Sequence, residues 1–293
     1  MRILITGSNG LLGQKITAMC MAKKLEFLAT SSGLNRFSGC PKERYQTLDI
    51  TDEQNIQEVI NQYKPTHLIH TAAMTNVDQC ELQPEACDLV NRQSVQMLVK
   101  FCLLNQIHFQ LLSTDFVFDG QDGPYREEDQ TKPLSVYARS KVEAENIVQH
   151  AKGLSYSIVR TIIVYGKGEN LSRSNLILWA KSALEKQEPM QIIDDQFRAP
   201  TWADDLAWAC LRICQLNESG IFHISGPETF SIYEIVRRIA AYYKLPLNNV
   251  KKLSSQELQQ PAKRPPRTGF ILDKARLRLG YNPKTLEQTL SEL

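Results

Sequence analysis

The chain has 293 residues and a net charge of +2, from 34 basic and 32 acidic side chains. Such a length is typical of one large domain or two coupled lobes, and 42% hydrophobic with 23% charged residues is ordinary for a globular protein. The balanced charge argues against a nucleic-acid partner, which requires a strongly basic surface.

The cysteines and the chain start indicate a reduced, cytoplasmic protein. No two of the seven cysteines form a CxxC pair, and the five histidines do not join them at ligand spacing. We therefore expect buried thiols and no metal site. The first residues, MRILITG, are typical of a strand rather than a signal segment, and no apolar run approaches ~18 residues. Neither export nor a membrane partner is expected.

The first half of the chain alternates short apolar runs with amphipathic segments. The runs predicted as buried parallel strands are 2–6, 26–30, 66–72, 108–114 and 156–161. The segments predicted as helices are 11–22, 52–63, 84–104 and 135–151. This alternation predicts an α/β protein with a doubly wound parallel sheet.

The second half is less regular. Helical patterns at 174–186, 204–216 and 231–244 are interleaved with strands at 190–193 and 220–225. We interpret residues 1–166, with 200–225 returning to them, as a dinucleotide-binding Rossmann domain. Residues 167–199 and 226–293 then form a smaller substrate-binding lobe. The basic segment 263–267 is either a surface loop or a contact for substrate phosphates.

A glycine-rich turn follows the first strand and opens the first helix. The sequence GSNGLLG places Gly7, Gly10 and Gly13 where a tight turn brings a pyrophosphate against backbone N–H groups at a helix N-terminus. This context predicts dinucleotide binding. The residues expected to contact it here are Gly7, Ser8, Asn9, Gly10, Leu11, Leu12 and Gly13.

The end of the second strand bears on which dinucleotide binds. An acidic residue there usually binds the ribose hydroxyls of NAD, but this strand ends in Thr30, Ser31 and Ser32, with Arg36 shortly after. The pattern favours NADPH, with NADH possible and a plain loop role for Arg36 left open. Residues after the third and fourth strands are also expected at the cofactor, namely Asp49, Ile50, Thr71, Ala72 and Ala73.

Tyr137 and Lys141 lie four residues apart at the start of a predicted helix and therefore share a face. A nearby ammonium favours the phenolate and makes the phenol a better acid. Lys141 can also hydrogen-bond the nicotinamide ribose. The third partner is expected at the carboxyl end of a neighbouring strand, where Ser113 and Thr114 stand. Of these we choose Thr114 to hydrogen-bond a substrate carbonyl.

The motifs together resemble the extended short-chain dehydrogenase/reductase family and, within it, the dTDP-4-dehydrorhamnose reductases. The match covers nearly the whole chain. It includes GSNGLLG, then STDFVFDG followed by PYREED and YARSK, and later RTIIVYG, DDQFRAPTWADDLA and RPPRTGF. The resemblance implies an NAD(P)-binding Rossmann fold with Thr114, Tyr137 and Lys141 as the catalytic set.

The resemblance also implies further site residues. Asn91 matches an asparagine near the active site, and Thr75 lies between cofactor and sugar. Residues implied on the substrate side are Thr75, Val77, Asp115, Ile163, Gln196 and Arg198. Three departures fall in this pocket: Ile163 replaces an aromatic residue, Arg198 replaces a glycine, and Leu171 replaces a phenylalanine. Arg198 could still pair with a diphosphate.

We interpret the chain as an NADPH-dependent reductase of a keto group on a nucleotide-linked deoxysugar. Its oligomeric state is left open, with a homodimer as one option. A 4,6-dehydratase or 4-epimerase is a weaker alternative, because the dehydratases carry Glu where this chain has Phe116. A third reading is a non-catalytic binding subunit, since the regulatory subunit of methionine adenosyltransferase resembles the same reductases.

Overall fold

The computed structural model describes residues 1–293 and contains thirteen strands and twelve α-helices. The strands are β1 (Arg2–Thr6), β2 (Glu26–Ser31), β3 (Tyr45–Thr47), β4 (His67–His70), β5 (His108–Thr114), β6 (Tyr156–Thr161), β7 (Val164–Tyr165), β8 (Met190–Ile193), β9 (Phe197–Arg198), β10 (Thr201–Trp202), β11 (Gly220–Ile224), β12 (Phe230–Ser231) and β13 (Val250–Leu253). The helices are α1 (Leu11–Ala22), α2 (Glu53–Tyr63), α3 (Val77–Leu82), α4 (Pro84–Asp88), α5 (Ser94–Leu104), α6 (Val136–His150), α7 (Leu176–Glu185), α8 (Ala203–Leu216), α9 (Ile232–Tyr243), α10 (Ser255–Leu258), α11 (Asp273–Leu279) and α12 (Leu286–Leu290).

Seven of the strands form one parallel sheet. Their order is β11-β6-β5-β4-β1-β2-β3. The chain therefore adds β2 and β3 on one side of β1, and β4 and the later strands on the other side. The carboxyl ends of β1 and β4 therefore diverge into a crevice, which is where open α/β sheets bind ligands. The predicted doubly wound sheet is confirmed.

Two apolar layers hold this sheet. Strands such as RILIT and HFQLLST are buried on both faces because helices cover them on both sides. One layer packs α1, α8 and α11 against the sheet, and the other packs α2, α5 and α6. Ser135 caps α6 by accepting a hydrogen bond from the Ala138 N–H at 3.2 Å, which fixes where the helix carrying Tyr137 begins.

The smaller lobe has a core of its own. Helices α7, α9 and α12 pack around Tyr165 and Trp202, with β8 and β13 paired at one side. The prediction that residues 226–293 belong wholly to this lobe needs one correction. Leu272, Ala275, Leu279 and Tyr281 pack in the layer of α1 and α8, so the segment around α11 lies against the large sheet.

One predicted helix is interrupted. Within residues 84–104, a π-helical turn at Leu89–Gln93 separates α4 from α5. The short helix α3 comes before α4. A π turn of this kind re-aims the side chains that it carries. None of the helices combines the length and the apolar character needed to cross a bilayer. All seven cysteines are buried and unpaired, as expected.

Candidate active site

A cleft of about 920 Å³ runs across the carboxyl ends of the parallel strands. Most of the residues singled out from the sequence lie on its wall: Gly7, Asn9, Gly10, Leu11, Leu12, Gly13, Ser31, Ser32, Arg36, Asp49, Ile50, Thr71, Ala72, Ala73, Thr75, Val77, Thr114, Asp115, Tyr137, Lys141 and Ile163. Four others, Ser8, Asn91, Gln196 and Arg198, do not line it.

The glycine turn is packed too tightly for side chains. Gly7 has φ +74, and a Cβ there lies 2.5 Å from the Ala72 nitrogen. A Cβ on Gly13 lies 2.4 Å from the Gly7 oxygen, so only glycine lets α1 approach the turn this closely. The Ser8 hydroxyl is buried beneath the turn without a hydrogen-bond partner.

The N-terminus of α1 is open to an anion. Its N-cap is Gly10, no side chain caps it, and no acidic residue stands in the first turn. The N–H groups of that turn therefore have no competing carboxylate, and the helix dipole favours negative charge at this point. The residues present fit the pyrophosphate of a dinucleotide.

The far end of the cleft is polar and free of carboxylates after β2. Ser31, Ser32 and Arg36 lie on the wall. The Asn9 side chain fixes the loop that carries Arg36, because its Oδ1 accepts from the Arg36 N–H at 2.9 Å and its Nδ2 donates to Leu34 O at 2.9 Å. The Asp49 carboxylate is engaged within its own loop, because it accepts hydrogen bonds from Thr51 N and Thr51 Oγ1. The residues present fit the adenosine ribose of an NAD(P) cofactor.

The three side chains chosen from the sequence as the catalytic set all line this cleft. Tyr137 and Lys141 occupy one face of α6, with exposed fractions of 8% and 3%. Thr114 ends β5; its Oγ1 donates to Asp115 Oδ1 at 3.1 Å and accepts from the Phe116 N–H at 3.2 Å. Lys141 Nζ donates to Leu112 O at 2.7 Å, which anchors the ammonium to the same strand.

Burial, not Lys141, dominates the pKa of Tyr137. Burial raises that pKa above its ordinary value, the hydrogen bond with Thr114 and the Arg173 charge oppose the rise, and Asp115 adds to it. The expectation that Lys141 lowers this pKa is therefore not met in the structure. The phenol stays protonated at neutral pH, which is the state that a proton donor needs.

A buried network lies behind Lys141. Burial lowers the pKa of Lys141 to about 8, and the Glu145 charge opposes that fall. Glu145 in turn accepts from Ser113 Oγ at 2.5 Å and pairs with Arg160, whose Nη2 lies 2.6 Å from Glu145 Oε2. Since the Ser113 hydroxyl is committed to Glu145, the hydroxyl left facing the cleft at the end of β5 belongs to Thr114.

Comparison with known proteins places this geometry in a family. The family model described as RmlD substrate binding domain matches residues 1–293. The chain belongs to this family.

Relatives of the chain cover nearly its full length. It is 28% identical over 295 residues to a probable low-salt glycan biosynthesis reductase of Haloferax volcanii, covering 100% of this chain and 97% of that one. It is 30% identical over 270 residues to methionine adenosyltransferase 2 subunit beta of Danio rerio, covering 90% and 80%. A dTDP-4-dehydrorhamnose reductase from Bacillus anthracis, solved with NADP, superposes with a TM-score of 0.82 at 27% identity, covering 99% and 97%.

Within this RmlD-family fold, Asn91 acts on the backbone rather than on the cleft. It is buried in the π turn; its Oδ1 accepts from the Met74 N–H at 2.8 Å and its Nδ2 donates to Ser140 Oγ at 3.1 Å. It therefore links the loop after β4 to α6 at Ser140, the residue that precedes Lys141. A role for Asn91 at the site therefore stays a prediction, and its hydrogen bonds in the structure are with the scaffold.

Arg198 also differs from its expected place. It was expected to face a diphosphate, but its side chain is 2% exposed and its Nη2 donates to Pro265 O at 2.6 Å. Its Nε lies 3.8 Å from Asp115 Oδ2, and Gln196 Oε1 lies 3.4 Å from its Nη2. The guanidinium therefore makes its contacts inside the protein. Its charge compensates that of Asp115, and its hydrogen bonds link the Pro-rich segment to the end of β5.

Apart from Leu171, two parts of the wall were not assigned as site residues from the sequence. Phe116 lines the cleft and packs edge-on to the Tyr137 ring at 6.2 Å, and residues 171–176 line it from the small lobe. Arg173 lies in that segment. Ile163, where the family resemblance implied an aromatic ring, lines the wall with φ 33, an unusual conformation for a β-branched residue. None of Lys263, Arg264 and Arg267 lines the cleft, and Arg264 pairs with Asp78 at 2.7 Å.

Proposed function

We propose that the chain is an NADPH-dependent reductase of a keto group on a nucleotide-linked deoxysugar, with dTDP-4-dehydrorhamnose as the first substrate to test. The observation that carries this is the meeting of Thr114, Tyr137 and Lys141 in the same cleft as the glycine turn. The Bacillus anthracis protein that superposes on the whole chain bears the name of this activity, which supports the choice of substrate.

The residues would hold the cofactor in three places. The N-terminus of α1 receives the pyrophosphate, Ser31, Ser32 and Arg36 receive a 2′-phosphate, and Lys141 reaches the nicotinamide ribose. Bound there, NADPH supplies the hydride. The absence of an acidic residue after β2 supports NADPH over NADH.

The chain's own part in the reaction is to hold the carbonyl and move one proton. When substrate binds, Thr114 Oγ1 turns its hydrogen from Asp115 to the carbonyl oxygen and aligns that oxygen with the Tyr137 phenol. Tyr137 gives its proton to that oxygen as negative charge develops on it. The Lys141 ammonium stabilises the phenolate that remains, and Glu145 keeps Lys141 charged.

A dehydratase is disfavoured by the residue after Asp115. The resemblance implied that dehydratases use a glutamate there to move a substrate proton. Phe116 occupies this point on the wall and has no titratable group. The cleft therefore lacks the acid for that reaction.

A second candidate is a non-catalytic binding subunit. It is favoured by the 30% identity to methionine adenosyltransferase 2 subunit beta. In that case the chain forms a stoichiometric complex with a separate catalytic protein, and loss of the Tyr137 hydroxyl leaves its binding unchanged. Affinity purification of the tagged chain followed by mass spectrometry measures this directly.

Steady-state NADPH oxidation with dTDP- and UDP-linked 4-keto-6-deoxy sugars tests the reductase. The proposal expects saturable turnover with at least one of them and a fall in kcat/KM of about 100-fold or more in Thr114→Val, since one hydrogen-bond donor to the developing oxyanion is lost. No turnover with any of these sugars, despite NADPH binding, would contradict it.

A further inference from the structure

Residues 167–175, named here the strap, cross from the cofactor side of the cleft to the substrate side. Gln14 holds one end: its Nε2 donates to Glu169 O at 2.7 Å and its Oε1 accepts from Glu169 N at 2.8 Å. Asn175 holds the other end by donating to Gly166 O at 2.8 Å. Between these anchors the strap lines the cleft.

Arg173 extends from the strap to the opposite wall. Its Nη2 donates to Thr75 Oγ1 at 2.7 Å and to Thr75 O at 3.3 Å. Its Nε and Nη1 make no hydrogen bond to the protein, and the residue is exposed. A guanidinium fixed by one nitrogen and free at two others is prepared to bind an anion.

The other cationic side chains in or near the cleft have different positions and contacts. Arg36 stands beyond the end of β2, and Lys141 lies on the floor with its Nζ bonded to Leu112 O. Arg198 is enclosed in the protein. Of the two arginines that line the cleft, only Arg173 contacts Thr75.

Arg173 is also close to the reacting centre. Burial raises the pKa of Tyr137, and the Arg173 charge is among the groups that oppose this rise. The same charge also acts on Cys80, which packs against Tyr137. An anion bound by Arg173 would therefore lie on the same side of the cleft as the sugar that Tyr137 protonates.

We infer that Arg173 binds the diphosphate of the sugar nucleotide, an assignment that rests on the proposed function. Phosphate oxygens match the planar fork of a guanidinium in paired, charge-assisted hydrogen bonds. A diphosphate is also present in the dinucleotide, so the test must separate the two sources.

Calorimetric titration of the NADP⁺-loaded protein with dTDP, and in parallel with UDP, measures binding without turnover. Arg173→Ala is expected to weaken nucleoside diphosphate binding about 10- to 100-fold, the effect of one or two hydrogen bonds to a charged group, with NADPH affinity unchanged. Arg173→Lys should lie between, because a lysine keeps the charge but not the fork. Lys167→Ala, an exposed cation of the same strap that does not line the cleft, is the matched control and should change neither affinity.

Each other outcome overturns the inference. If Arg173→Ala weakens NADPH and leaves dTDP and UDP binding as they are, the residue serves the dinucleotide. If neither affinity changes, or if the wild-type protein binds neither nucleoside diphosphate, Arg173 has no such role. The titration stays decisive when the wild type reduces no keto-sugar, so failure of the proposed reaction and failure of the Arg173 assignment are seen separately.

Discussion

At the scale of single residues, the charge of Lys141 is the most sensitive quantity in the site. Burial lowers the pKa of this lysine to about 8, close to neutral pH. The Glu145 carboxylate one turn further along α6 opposes that fall, and Arg160 and Ser113 hold the carboxylate in place. Glu145 is a positioning residue, because it acts on the substrate only through Lys141.

This arrangement predicts a pH dependence. A lysine loses its charge as pH rises through its folded-state pKa, so kcat/KM should fall as pH rises through about 8. Glu145→Gln removes the opposing charge and should shift that fall to lower pH. The measurement is kcat/KM against pH, with Glu143→Gln on the exposed face of the same helix as control. A pH profile that is the same in Glu145→Gln and wild type would rule out the role of Glu145.

Arg36 is the residue that we propose selects NADPH over NADH. Its guanidinium lies on the cleft wall beside Ser31 and Ser32, with no acidic residue after β2. Arg36→Ala should raise the Kd for NADPH about 10-fold or more, since a charged contact to the 2′-phosphate is lost, and leave that for NADH unchanged. Fluorescence titration with both cofactors checks this. An equal loss for the two would mean that Arg36 contacts something other than the 2′-phosphate.

At the scale of elements, the turn between β1 and α1 depends on its packing. A methyl group on Gly13 meets the Gly7 oxygen at 2.4 Å, and that oxygen belongs to the backbone and has little room to move. Gly13→Ala should lower the free energy of unfolding by about 1–3 kcal/mol, the usual cost of overpacking, and weaken NADPH binding as α1 shifts.

Denaturant unfolding and NADPH titration of Gly13→Ala measure both effects. Gly33→Ala is the stability control, because a Cβ there meets no atom within 4 Å. Unchanged stability and cofactor affinity in Gly13→Ala would show that the turn tolerates a side chain.

The larger elements could be predicted from the sequence, and the short ones could not. Strand β5 and helix α6 have long apolar patterns, so both were found with their ends near Thr114 and Tyr137. Two-residue strands such as β9 and β12 are too short for any periodicity to appear. Helix α3 has six residues, and only its Asn76 cap marks it. The π turn at Asn91 adds one residue to a helical pattern that otherwise continues across it.

At the scale of the whole molecule, one buried ion pair joins the two lobes at the site. Arg198 in β9 neutralises Asp115 after β5, and both side chains are at most 3% exposed. Burial raises the pKa of Asp115, and the Arg198 charge is the first of the groups that oppose the rise. Thr268 donates a hydrogen bond to the same carboxylate, so the C-terminal segment shares the contact.

Breaking this pair should be costly. Arg198→Gln leaves the Asp115 carboxylate buried without its cation, and the free energy of unfolding should fall by about 3–5 kcal/mol. The double variant with Asp115→Asn should recover part of this loss. Arg126→Gln is the control, because its exposed pair with Asp273 at 3.9 Å contributes no more than about 1 kcal/mol. Equal effects of Arg198→Gln and Arg126→Gln in urea unfolding would contradict the account.

The positions of Arg198 and Arg173 show where sequence reasoning ends. Arg198 lies in the two-residue strand β9 and Arg173 in a polar loop, and local sequence does not distinguish the directions of their side chains. Arg198 turns inward because the carbonyls of Pro265 and Pro266, nearly seventy residues on, accept its N–H groups. Arg173 reaches the cleft because Gln14 and Asn175 fix the strap on either side. Both outcomes depend on contacts between distant parts of the chain.

The most direct test of the reductase account follows an isotope from cofactor to sugar. NADPH carrying deuterium at its transferable position is incubated with dTDP-4-dehydrorhamnose and the wild-type protein, and the product is examined by NMR. The account predicts deuterium on the former carbonyl carbon, and a rate lower by about 100-fold or more in Tyr137→Phe, which lacks the proton donor. A product without deuterium, equal rates in the two proteins, or no product from this or any other 4-keto-6-deoxy sugar nucleotide would contradict it.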